Sequence, residues 1–62
     1  MKIREILKLI EADGWSQVRQ TGSHRHFRHP TKPGTVTVAG KPSDDLHPKT
    51  QASILRQAHL RP

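Results

Sequence analysis

The sequence predicts a small α+β domain of order α-β-β-β-α: a three-stranded antiparallel sheet with two helices on one face. Three observations carry this reading. An apolar stripe of helical period opens the chain, short alternating β-type runs occupy its middle, and a second helical stripe follows Pro48. Two amphipathic helices need one face to bury, and a three-stranded sheet supplies it. At 62 residues the chain has room for one domain (1–62) and one core.

In the first element, Lys2 to Asp13, Ile3, Ile6, Leu7 and Ile10 fall at i, i+3, i+4, i+7, with Leu9 widening the stripe. Gly14 is the expected C-terminal stop. Trp15 follows as the large filler joining helix to sheet. Trp15 to Thr21 and His24 to His29 read as a hairpin turned at Gly22-Ser23. Alternation places Arg25, Phe27 and His29 on one face, and His24, His26 and Arg28 on the other. With Phe27 inward, His24 and His26 point out, beside Gln17 and Arg19 of the preceding strand. Thr35 to Ala39 is the third strand, with Val36 and Val38 inward. The last helix runs from Pro48, suited to a first helical position, to about His59. Ile54, Leu55 and Ala58 form its stripe, and Leu60 closes it. Asp44 and Asp45 are expected to favour its N-terminus, Arg56 and Arg61 its C-terminal end.

Composition limits the function. A domain of this size buries only about 60% of the surface its unfolded chain exposes. Its single core supplies roughly 3–5 kcal/mol. No deep substrate cavity fits, so function is expected on a face. Eleven Lys and Arg against five Asp and Glu give a formal charge of +6, which suits a polyanion or an acidic protein partner. The absence of cysteine removes disulfides, thiolate metal sites and cysteine nucleophiles. Without a long apolar run or a signal-type segment, the expected location is cytoplasmic.

Three of the five histidines lie in Ser23-His24-Arg25-His26-Phe27-Arg28-His29. Imidazoles move protons near neutral pH, and arginines suit phosphate. Such a set fits phosphodiester chemistry on RNA, where the ribose 2′-OH is an internal nucleophile and no metal or other cofactor is needed. His24 is the candidate general base or acid, and His26 a second candidate for proton transfer. Arg19, Arg25 and Arg28 are candidate phosphate contacts, Arg28 favoured by its facing. Lys32 and Lys41 are expected to steer RNA from flanking loops. Ser23 reads as a turn residue or phosphate donor. The competing readings are a plain basic strand, a His24/His26 metal pair completed by His47 or Asp44/Asp45, and a non-catalytic RNA-binding module. A further one is an interaction domain for an acidic partner. The arginines oppose a bound cation.

The same residues carry a family resemblance. Gly14-Trp15, Arg19, Gly22-Ser23-His24 and Phe27, then Val36 through Leu46 and Thr50 through Ala58, resemble the HicA toxins of bacterial toxin–antitoxin pairs. The resemblance implies a fold like the double-stranded-RNA-binding domain and an endoribonuclease acting on mRNA. It implies His24 in the place of the family's catalytic histidine. It also implies a HicB-type antitoxin that covers His24 and the basic face, the toxin being a monomer when free and part of a hetero-oligomer when bound. The chain departs from the family pattern in three places. Ala39-Gly40 stands where some members carry another histidine, Pro48-Lys49-Thr50 where many have Pro-Gly-Thr, and Gln57-Ala58-His59 where many have Gln-Ala-Gly.

Overall fold

A computed structural model describes residues 1–60. It contains α1 (Ile3–Ala12), β1 (Ser16–Thr21), β2 (His24–Arg28), β3 (Val36–Ala39) and α2 (Pro48–Gln57). The sheet is antiparallel, in the order β1-β2-β3. This is the expected α-β-β-β-α architecture. Arg61 lies outside the described residues.

One core joins both helices to one sheet face: Ile3, Ile6 and Ile10 of α1, Ile54 of α2 and Ala58 at its end, Phe27, Val36 and Val38 of the sheet, and Trp15 between. Leu7, Leu46, Leu55 and Leu60 pack against it. Leu9 does not widen the buried stripe; it is exposed, because the helical angle carries it past the edge of the core-facing side.

Both helices end in the same hydrogen-bonding pattern. At α1, Gly14 N–H donates to Glu11 O (3.0 Å) and Trp15 N–H to Ile10 O (3.1 Å). At α2, His59 N–H donates to Arg56 O (3.1 Å) and Leu60 N–H to Leu55 O (2.8 Å). Both are Schellman ends, in which the residue after the C-cap takes positive φ. Gly14 does so at φ 110°; His59 does so at φ 57° despite its side chain.

The Asp44-Asp45 segment serves α1 rather than α2. Ile3 N–H donates to Asp44 O at 2.9 Å and Arg4 N–H to Pro42 O at 3.0 Å, so loop carbonyls satisfy donors that begin α1. Asp45 pairs with the Lys2 ammonium at 3.2 Å. At α2, the His47 side chain is the cap, its Nδ1 accepting from Lys49 N–H at 3.1 Å.

The two helix ends are clamped together. Trp15 Nε1–H donates to Ala58 O at 3.2 Å. The Lys32 ammonium binds the Asp13 carboxylate and reaches Ala58 O at 3.4 Å. A cation between two helix C-termini is favourably placed.

Candidate active site

Thr21 pairs with His24, leaving Gly22-Ser23 as a two-residue turn. Gly22 has φ 59° and Ser23 does not share the positive sign, the pattern of a hairpin turn with glycine at its first central position. This turn fixes where β2 begins and which way His24 faces.

His24 is exposed, opposite Thr21 on one side and Ala39 on the other. Among the described residues no hydrogen bond holds its ring. Gly40 N–H donates to Ser23 O at 3.3 Å, so Lys41, exposed and one residue further on, follows directly from the turn. Ser23, His24 and the backbone of Lys41 therefore share one end of the sheet.

Further along the open face, His26 is half-buried between Arg19 and Thr37, and its Nδ1 lies 3.2 Å from Thr37 Oγ1. Arg28 is exposed opposite Ser16, with Nη1 3.5 Å from Thr35 Oγ1. Four residues of strand separate Arg28 from His24, about 13 Å. Arg19 is nearer, two residue pairs from the His24 level.

Three expectations are corrected here. The pairing slips between Gln17 and Arg19, so that Val18 and Arg19 together oppose His26. This is a β-bulge, and the extra residue breaks the alternation. Gln17 consequently lies opposite Phe27, on the helix side, where its amide meets Gln20 at 3.4 Å. Arg25 is half-buried on that side too, and its Nη1 donates to Gly40 O at 2.8 Å, bracing the turn rather than facing a ligand on the open face. Lys32 is committed to Asp13 and Ala58 at the helix C-termini, because an acidic group beside two carbonyl ends attracts the nearest flexible cation.

His29 is locked. Its Nδ1 accepts from the N–H groups of Thr31 and Lys32, both at 3.1 Å, so Nε2 carries the proton and donates to Asp13 O at 2.7 Å. The ring meets Trp15 edge-on, with centroids 5.3 Å apart. The Asp13 carboxyl is held below its ordinary pKa, first by the hydrogen bond from Lys32 and then by the charge of Lys32, with partial burial opposing. His47 is a helix cap and His59 sits at the end of α2, so neither joins His24. Among the described residues no three His, Asp or Glu side chains come together as a metal cage. His24 and His26 face the same way without a third ligand.

Sequence reasoning did not single out Val18 and Thr35, which join Arg19, His26 and Arg28 around a shallow depression of about 360 Å³ on the open face. Alternation alone could not find Val18 there, since its facing depends on the bulge.

Among the described residues no helix is long and apolar enough to cross a membrane. No curated protein matches the chain. The family model of the HicA toxins of bacterial toxin–antitoxin systems matches residues 3–60. That match takes in both helices, all three strands and the Gly22-Ser23-His24 turn, and the chain belongs to the HicA toxin family.

Proposed function

We propose that this toxin is a metal-independent endoribonuclease that cleaves mRNA and so inhibits translation, with His24 as its proton-transfer residue. The observation that carries the reading is His24 itself: exposed at the hairpin turn of a basic sheet face, with no hydrogen bond to hold it among the described residues. In the proposed step His24 removes the proton from a ribose 2′-OH. O2′ attacks the adjacent phosphorus, the P–O5′ bond breaks, and the leaving oxygen takes a proton from water or from His26. The products are a 2′,3′-cyclic phosphate and a 5′-hydroxyl. Cations stabilise the charge that builds on the phosphoryl oxygens. Lys41 and the Ser23 hydroxyl belong to the His24 end, Arg19 comes next, and Arg28 reaches a phosphate further along.

The partner in this reading is a HicB-type antitoxin. An acidic or RNA-like surface laid over the open face would cover His24 and neutralise the arginines together. The protein would then be a monomer when free and a hetero-oligomer when inhibited.

The test is cleavage of purified mRNA in EDTA. Wild type should cut it and leave cyclic phosphate ends. His24→Ala should lose about 10²–10⁴-fold in rate. A requirement for added metal would overturn the mechanism, and full activity in His24→Ala would overturn the assignment. A non-catalytic RNA-binding module would shift RNA on a gel, with affinity falling as salt rises, and leave it intact.

A further inference from the structure

The bulge in β1 gives the open face a feature that proton transfer at His24 does not use. An extra residue in a strand re-aims its neighbours. Here Val18 comes to lie beside Arg19, both opposite His26, and Val18 is 60% exposed. Together with Arg28 and Thr35 these residues line the depression of about 360 Å³. The lining combines an aliphatic surface, two guanidinium groups, an imidazole steadied by Thr37 and a hydroxyl, with no carboxylate.

This mixture is richer than phosphate binding requires. A surface built only for phosphate gains nothing from an exposed valine. A flat, weakly hydrated ring laid on the valine would cover it. Guanidinium planes and imidazoles stack on such rings, and arginine also pairs with phosphate. The volume falls at the small end of ligand sites.

We propose that the Val18–Arg19–His26–Arg28–Thr35 depression is a nucleotide subsite. It seats one unpaired base against Val18 and His26, with the adjoining phosphates on Arg19 and Arg28. The proposal rests on the RNA reading above and adds what the neighbouring nucleotide does. His26 lies two residues from His24 on the same face, about 6.6 Å along the strand. That is the reach of one nucleotide along an extended single strand. The seated base therefore belongs to the nucleotide next to the one whose 2′-OH faces His24. A base within a duplex is stacked on both faces and cannot enter, so the subsite selects unpaired RNA.

The experiment measures affinity of the wild-type chain for three 2′-O-methyl probes, which lack the attacking hydroxyl: a single-stranded hexanucleotide, the same backbone without bases, and a duplex of the same sequence. Amide NMR shifts locate each site. The intact single strand should bind about tenfold more tightly than the abasic backbone, in line with one base stacked on a protein surface. Its base-dependent shifts should fall on Val18, Arg19, His26 and Thr35. Val18→Ser, a neutral change at an exposed position, should reduce that tenfold difference to about twofold or less, while Val18→Ile keeps it. Equal affinity for intact and abasic strands, equal affinity for the duplex, or a Val18→Ser variant that retains the full difference would each overturn the subsite. Cleavage of unmodified RNA is scored separately. Cleavage without base-dependent binding defeats the subsite alone, and base-dependent binding without cleavage defeats the nuclease reading alone.

Discussion

His24 opens β2 and His29 follows its last residue, yet the two imidazoles live in opposite surroundings. His29 has both nitrogens committed, Nε2 to Asp13 O and Nδ1 to the backbone of Thr31 and Lys32, and its side chain is only 8% exposed. His24 stands in solvent, and no hydrogen bond restrains it among the described residues. The contrast teaches how one short strand divides its labour. The helix-facing side and the strand's far end hold the domain together, while the open face near the turn keeps its polar groups uncommitted. A ring whose nitrogens are all occupied cannot relay a proton, and an unrestrained ring contributes little to folding.

Breaking the committed histidine should have the largest effect on the fold. His29→Ala removes an edge contact with Trp15 and strands the carbonyl of Asp13 and two backbone N–H groups. We expect a loss of about 2–4 kcal/mol. That is comparable to the entire stability of a core this small. Denaturant unfolding should find the variant largely unfolded; near wild-type stability would show that the clamp is ornamental.

Next comes Gly14→Ala. A Cβ at Gly14 would lie 2.7 Å from His29 Nε2, and φ is 110° there. Since His29 cannot swing aside without giving up its own partners, the clash and the backbone strain add to about 2–3 kcal/mol. Gly22→Ala provides the control at the other end of the hairpin. At φ 59° with open space around it, only the backbone term applies, about 1 kcal/mol. Equal losses at the two glycines would deny the difference between the two regions.

Acid should weaken the committed end. The folded-state pKa of Asp13 is depressed, chiefly by Lys32, so the unfolded chain takes up this proton more readily. The stabilisation is therefore present at neutral pH and disappears as pH falls through and below the carboxylate range, from about pH 4 downward. Asp13→Asn should be less stable at pH 7 and should show a shallower decline in acid. Parallel pH profiles for variant and wild type would refute the clamp's electrostatic part. The smallest effect is a gain. His59 holds a positive φ that glycine adopts freely, so His59→Gly should stabilise by about 0.5–1 kcal/mol in the same unfolding assay.

Much of this molecule was legible from residue order. The stripe of Ile3, Ile6 and Ile10, the Gly22 turn, Trp15 as filler, and the inward Phe27, Val36 and Val38 all follow from local period and turn chemistry. The outward facing of His24 followed from Phe27 alone. What could not be read depends on contacts between distant parts of the chain. Lys32 meets Asp13, and Asp44 meets Ile3, because folding brings them together. The bulge at Val18 depends on how β1 must twist against β2, and it reversed the facing of Gln17. Arg25 was correctly placed on the helix side by alternation, but its bond to Gly40 required the position of β3. The abundance of histidine was visible; that the side chains of His29 and His47 are taken up by the fold was not.

The central claim is that His24 transfers the proton in RNA cleavage. The most direct measurement compares single-turnover cleavage of one purified mRNA, in EDTA, by wild type and His24→Ala, with unfolding curves recorded on the same samples. The expected result is a rate loss of about 10²–10⁴-fold at unchanged stability. A His24→Ala protein that is folded and cleaves as fast as wild type would contradict it.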